Sequence, residues 1–440
     1  MISDRILVFL TTLLLAPAAL AGLDIQNWST AQGARVYFVE NHELPMLDVS
    51  VDFDAGAARD SRAKSGLASL TRQLMTLGAG AYTERDIGEK LADVGANLGG
   101  RFDADRAGFQ IRVLSGQAER DQAVDVLAAI LAAPRFDAGI LEREKARAIA
   151  GLRESETRPD YLGAKAFQAA IYGDHPYALN EGGEVATLAT LTRDDLVDFH
   201  RDHYRAQNMA IAIIGDVSRA QAEALAEQLA RDLPPGAAPA PIPPVGIGAQ
   251  GGVTVIPHPA TQSHLFMGAP GLKREDPDYF PLYVGNYVLG GGGFDSRLTK
   301  AIRDRKGLAY SVYSYFMPMR ELGPFQIGLQ TRRDATDDAV ASARAELQGY
   351  LQAGPSEAEL TQAKNNLVGG FPMRIDSNKK ILEYLAVIGF YRLPLDFLDT
   401  YTAKVEAVSH DDILRAFRAR LRPEAMATVI VGGQIARQGK

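Results

Sequence analysis

Cysteine is missing from all 440 residues, which excludes disulfides, thiolate metal ligands and cysteine nucleophiles. Histidine is scarce, seven in all, and tryptophan occurs once. Any imidazole-based metal site therefore has few residues to draw on. Nor is there an excess of positive charge. Lys and Arg number 47 against 54 Asp and Glu, a formal net charge of −7, so nucleic acid is not an expected partner. The apolar stretch at 6–15 is about half of the roughly 20 residues that a membrane-spanning helix needs, and no integral membrane span is expected. What remains is an ordinary globular mix, 46% hydrophobic and 23% charged.

Arg5 precedes the apolar stretch, and Ala19 and Ala21 place small residues just before Gly22. A cation, a short apolar core and small residues in that order fit a cleavable secretory signal over residues 1–21. The mature chain is expected to be periplasmic or secreted.

Residues 233–252 read LPPGAAPAPIPPVGIGAQGG, without a charge. Such composition favours an extended, semi-rigid linker, here between one domain at 22–232 and another at 253–440. The two portions resemble each other. TRDDLVDFHRDHYRAQNMAIAIIG starts at Thr192, and SHDDILRAFRARLRPEAMATVIVG starts at Ser409, 217 positions later. Without a gap, Asp194 and Asp195 align with Asp411 and Asp412, Arg201 with Arg418, Arg205 with Arg422, and Met209 with Met426. Both segments open with a hydroxyl residue suited to capping a helix and with acids favoured in its first turn. Both close on an apolar run that stops at a glycine, as a buried strand does. A match through helix, turn and strand indicates a duplicated domain.

Periodicity predicts strands at 35–39, 47–53, 253–256, 264–268, 310–317 and 323–330. It predicts helices at 65–77, 84–94, 118–133, 138–153, 162–171, 279–289, 334–353, 357–369 and 379–391. Strands and helices cluster in runs instead of alternating strictly, so each half is expected to be α+β. On the 138–153 helix, Glu142, Glu144 and Lys145 read as a solvated charged face.

The chemistry-bearing segments begin with Gly66-Leu67-Ala68-Ser69-Leu70-Thr71-Arg72-Gln73, followed by Met75 and Leu77-Gly78. Asn208-Met209 and Gly215-Asp216 close the same half. Over nearly the whole mature chain these segments resemble the pitrilysin (insulinase-type, inverzincin) metallopeptidase family. The resemblance implies two homologous α+β domains, each an antiparallel-rich sheet flanked by helices, arranged as a clamshell. The family pattern is Gly-x-Ala-His-x-x-Glu-His. Its histidines hold zinc and its Glu is the general base. Here Ser69 and Gln73 stand in place of the histidines and Arg72 in place of the base. A further Glu ligand belongs in 142–159, and the expectation puts Ala150 and Gly151 at that place. None of these side chains can hold zinc in that geometry, and an arginine stays protonated. This half is expected to be metal-free. His200 and His203 have ligand-like i, i+3 spacing, but no acid is spaced for a third ligand, so they read as packing residues.

In the second half, Gly290-Gly291-Gly292-Gly293-Phe294-Asp295-Ser296-Arg297-Leu298 leads into Ala301-Ile302-Arg303-Asp304-Arg305-Lys306-Gly307-Leu308-Ala309-Tyr310. This string is similar to the family's C-terminal domain signature, in which an Arg seven residues before a Tyr handles substrate. Arg303 and Tyr310 match. An Arg fork suits a peptide carbonyl or carboxylate, and a neutral phenol suits a developing oxyanion. Tyr313, Tyr315 and Phe316 fit the wall of a cleft that takes an extended peptide. Some members of the family divide labour between a zinc-bearing chain and a chain with the Arg/Tyr pair. The resemblance therefore implies the zinc-free subunit of an exported heterodimeric peptidase, inactive alone. Its partner would be a paralogous chain with the intact motif and the zinc, and its substrate an unfolded or short peptide. The rival reading is a non-catalytic peptide-binding or scaffold protein. A lesser one is a self-sufficient hydrolase using His200 and His203.

Overall fold

The computed structural model describes residues 23–237, 239–246 and 251–432; the expected signal segment lies outside the described residues. The strands are β1 Gln26–Ser29, β2 Arg35–Glu40, β3 Met46–Phe53, β4 Gly78–Ala79, β5 Tyr82–Thr83, β6 Asn97–Gly99, β7 Ala107–Leu114, β8 Met209–Gly215, β9 Gly252–Ile256, β10 Gln262–Leu272, β11 Ala309–Phe316, β12 Gly323–Arg332 and β13 Ala427–Val431. β4 and β5 form a small hairpin, and the rest build two sheets.

The first sheet has the order β1-β2-β8-β3-β7-β6 and the second β11-β12-β10-β13-β9. Read from the opposite edge, the second sheet is the first without β1. Thus β9 answers to β2, β13 to β8, β10 to β3, β12 to β7 and β11 to β6. In each sheet the one parallel pair joins corresponding strands, β2 with β8 and β9 with β13, and every other pairing is antiparallel. The duplication read from the two C-terminal segments therefore extends through both halves. Thr192 and Ser409 both cap their helices, and Asp195 and Asp412 complete the capping boxes.

β8 is buried at every residue, MAIAIIG. Flanked on both sides and covered on both faces, it needs the continuous apolar run that marked it in the sequence. What covers it is unexpected. Helix Asn378–Tyr391, from the second half, lies across β2, β3 and β8 of the first sheet. In return, helix Pro159–Tyr172 of the first half lies across β10 and β13 of the second sheet. Each half thus finishes the core of the other. The close approach relies on glycine at both crossings. A Cβ on Gly163 would stand 2.2 Å from the Phe266 ring, and one on Gly389 would stand 2.6 Å from that of Tyr37. Phe167, Ile171 and Tyr172 on the first helix pack with Phe266 and Val429 of the second sheet in one buried cluster.

A polar pin holds the same seam. Asp105, 1% exposed, accepts hydrogen bonds from Tyr177 Oη at 2.5 Å, Tyr391 Oη at 2.9 Å and the Arg320 amide at 2.8 Å. Two of those three donors come from the second half. Apart from Gly252, which opens β9, the described part of 233–252 has no helix or strand. It is a strap more than a free tether: Ile242 and Val245 are buried with Phe167 and Tyr177, and His175 and Arg59 bond the carbonyls of Pro243 and Ala240.

Candidate functional site

Helix Leu67–Met75 carries the positions of the degenerate motif. Asp60, buried beneath its first turn, accepts from the Gly66 amide at 2.7 Å and the Ala68 amide at 2.9 Å. Burial pushes its carboxyl up to about 7, against the pull of those backbone bonds. Apolar residues Leu67, Ala68, Leu70, Leu74 and Met75 face the core, leaving Ser69, Arg72 and Gln73 half-buried. Arg72 does not reach toward a reacting centre. Its Nε donates to the Gly108 carbonyl at 3.1 Å, and its guanidinium lies 5.1 Å from the Phe109 ring centroid. Burial holds it below the usual arginine value, against the attraction of Tyr204 and Asp52.

The next helix, Ala138–Ser155, carries the positions expected for the further ligand. Ala150 and Gly151 are exposed on it, Gly151 two turns after Glu144. Glu144, read from the sequence as solvated, is fully buried and stands against Gln73, whose Nε2 donates to its Oε2 at 2.8 Å. Lys145 is also buried, donating to the Leu191 carbonyl at 2.9 Å. The reading of Glu144 and Lys145 as a solvated face is overturned, because charge was taken as a sign of exposure. Two ion pairs allow the Glu144 carboxylate to be buried: Arg143 Nε at 2.7 Å and Arg147 Nη1 at 3.1 Å. One acid of ligand type therefore remains, saturated by two guanidinium groups and an amide.

These residues do not fit a zinc ion. Ser69 and Gln73 supply no imidazole, Arg72 adds a positive charge within the same turn, and Glu144 is committed to arginines. Among the described residues no group of three or more His, Asp or Glu side chains could hold a metal ion. His200 and His203 do not form a site either. Each ring is drawn down by burial, that of His203 to about 4. His200 Nε2 bonds the Leu131 carbonyl at 2.8 Å and its ring stacks on Tyr204, while His203 packs on Phe199.

The second group is assembled differently. Arg303 lies on a π-type turn, Thr299–Asp304, a wide geometry that recurs at functional sites. Gly307, at φ +61°, ends this turn and lets the chain enter β11. β11 is the edge strand of its sheet, so Tyr310 near its start stands clear of the core at 88% exposed. The Arg303 guanidinium lies 4.6 Å from the Phe294 ring centroid and 5.8 Å from that of Tyr310. Phe294, itself 75% exposed, was not singled out in the sequence as a site residue. Its place at the end of the glycine run was the available signal. Two exposed aromatic faces thus hold a cation in a fixed orientation with its nearest carboxylate, Asp304, 3.9 Å away.

Further along β11, Tyr313 and Tyr315 stack in parallel with ring centroids 6.0 Å apart, and Tyr315 Oη bonds Gln326. They line a cavity of about 600 Å³ with Gly290, Gly291 and Arg374. Phe316 is partly turned into the core, against Phe325 and Phe417. The structure brings Arg303 to Tyr310, and Gln73 to Glu144; among the described residues no hydrogen bond, ion pair or ring contact joins the two groups.

Fold and site together define a two-domain chain of the zinc-peptidase kind whose own metal cradle is degenerate. The description "Insulinase (Peptidase family M16)" matches residues 35–180, and "Peptidase M16 inactive domain" matches residues 190–367. A crystal structure of a peptidase M16 inactive domain from Pseudomonas fluorescens is 35% identical, covers 94% of this chain and 99% of its own, and superposes with a TM-score of 0.91. A Helicobacter pylori protein named as a non-peptidase homolog, YmxG, is 26% identical over 91% of this chain and 92% of its own length. A Bacillus subtilis protein named as an uncharacterized zinc protease, also YmxG, is 24% identical over 80% of this chain and 85% of its own. The chain belongs to peptidase family M16.

Proposed function

We propose that this chain is the zinc-free subunit of an exported heterodimeric M16 peptidase. The observation that carries the reading is a contrast within one molecule. Ser69, Arg72, Gln73 and an arginine-bound Glu144 leave no cradle for a metal, whereas Arg303 and Tyr310 stand exposed on an edge strand. A paralogous partner with the intact motif would supply zinc, and with it an activated water. The contribution of this chain is positioning and charge stabilisation. Arg303 would hold a peptide carbonyl or carboxylate, its fork steadied by Phe294 and Tyr310. The Tyr310 hydroxyl would donate to the oxygen that gains negative charge as the peptide carbonyl is attacked. Free β11 backbone groups and the Tyr313/Tyr315 wall suit an extended, unfolded peptide added as a strand.

The names of the relatives support the inactive reading for the chain by itself, since one is called a non-peptidase homolog and one an inactive domain. Export rests on the signal-like start of the sequence. The test is reconstitution. Mixed with a paralogue carrying His-x-x-Glu-His, the chain should support cleavage of unfolded peptides, and Tyr310→Phe should lower kcat about 10²–10³-fold, the size of losing one oxyanion donor. Full kcat in the substituted complex would remove Tyr310 from the mechanism.

A further inference from the structure

A cavity of about 540 Å³ opens at the seam between the halves; neither Arg303 nor Tyr310 lines it, and it shares Arg274, Tyr279 and Arg374 with the cavity beside Tyr313 and Tyr315. Its charged lining is Arg101 and Arg106 from the first half and Arg274, Arg374, Lys380 and Glu383 from the second. Five cations thus face one carboxylate. Several of these charges are already answered from behind: Arg106 by Asp103 at 2.8 Å, Lys380 by Asp376 at 2.8 Å, and Arg101 loosely by Asp52 at 3.7 Å. Arg274 and Arg374 have no carboxylate within 4 Å among the described residues.

Unused donors sharpen the picture. Arg106 is 7% exposed. Its Nε and Nη2 are spent on Asp103, yet Nη1 has no protein partner. Arg274 Nε is likewise buried without a hydrogen-bond partner, and Arg101 Nε, also buried, has only the Asp52 carboxylate at 3.7 Å. These buried nitrogens belong to guanidinium groups of residues that line the cavity. The guanidinium planes are held in place by rings. Arg106 lies over Phe390 and Tyr391, and Arg274 over Tyr391 at 5.1 Å. Rigid forks with spare N–H groups are the chemistry that captures a phosphate or carboxylate. Tyr279, Tyr384 and Phe397 add an apolar wall for whatever bears the anion.

We propose that this seam cavity is an oxyanion-binding site, taking a phosphate or carboxylate group of a small ligand between guanidinium groups of both halves. The shared chemistry has two sources, a phosphorylated small molecule or the free C-terminus of a short peptide. Because both halves contribute, an occupied site would fasten the seam. Binding here requires neither a partner subunit nor peptidase activity, so its failure and the failure of the proposed function are distinguishable.

Binding is measured by calorimetry on the intact chain with pyrophosphate, and with one short peptide prepared as free acid and as C-terminal amide. The expected result is saturable binding by pyrophosphate, or by the free acid and not the amide, weakening as salt is raised. The arm that binds names the source. Arg274→Gln should weaken that binding about ten- to a hundredfold, as expected on losing a charge-assisted hydrogen bond. Lys380→Gln, on the exposed rim, should weaken it about two- to fivefold and stands as the test if Arg274→Gln does not fold. Arg231→Gln, at a surface pair with Asp232, should leave it unchanged. No saturable binding in either arm, or binding that Arg274→Gln and Lys380→Gln leave intact, overturns the assignment.

Discussion

Replacing Ser69 and Gln73 by His and Arg72 by Glu should give the chain a zinc site, with Glu144, the buried acid that meets Gln73, expected to serve as the further ligand. Gln73 Nε2 lies 2.8 Å from the Glu144 carboxylate, so an imidazole at position 73 starts within ligand range of the same acid. The cost is legible in the structure. Arg72→Glu gives up the bond to the Gly108 carbonyl and the contact with the Phe109 ring, about 1.5–2.5 kcal/mol together. It also places a new carboxylate near Asp52, whose charge Arg72 now attracts. The triple variant without metal should therefore be about 2–3 kcal/mol less stable than the wild type in a denaturant melt. Zinc at a hundred times its Kd should return about 2.7 kcal/mol. Adding Arg147→Ala should tighten zinc further, since Arg147 competes for Glu144. The assay is zinc titration against a chromogenic chelator, with melts run in parallel. A folded triple variant that binds no more zinc than the wild type would refute the expectation that Glu144 can serve as the further ligand.

Other substitutions probe the seam and the helix that carries the motif. Asp105→Ala leaves the Tyr177 and Tyr391 hydroxyls and the Arg320 amide without their acceptor, and should cost roughly 2–4 kcal/mol by chemical denaturation; a loss under about 0.5 kcal/mol would show that the pin is unimportant. Gly163→Ala drives a methyl into the Phe266 ring and should destabilise by about 1–3 kcal/mol, where the same change at an exposed helical site stabilises. The raised Asp60 carboxyl binds its proton more tightly in the folded chain than in the unfolded one. Its contribution is thus complete below the ordinary carboxylate range and fades as pH climbs toward about 7. Asp60→Asn should flatten the fall in stability across that window, and an unchanged slope would show that Asp60 is already ionised there.

Much of this architecture was legible because its signals are local. The capped helices at Arg193–His203 and His410–Arg420 and the apolar strands after them obey short-range rules, and the repeat they exposed carries the topology of both sheets. β7, AGFQIRVL, escaped notice: its inward residues alternate, but the glycine, Gln and Arg among them weaken the strand signal. The exchange of helices between halves was invisible for a different reason. A period of 3.6 residues tells which face of a helix is buried and nothing about which sheet it meets. At the site, Ser69, Arg72, Gln73, Arg303 and Tyr310 were singled out by the resemblance to the family's motifs. The burial of Glu144 could not be read, since a charged residue is ordinarily exposed and its two arginines are local neighbours that look like a surface network.

The central claim is that the metal function has left this chain while the Arg303–Tyr310 element stays. Its most direct test is hydrolysis of an unfolded peptide by the purified wild-type chain, refilled with zinc, with and without chelator. The account predicts no turnover in either condition until the zinc-bearing paralogue is added. Turnover by the chain alone that the chelator abolishes would contradict it.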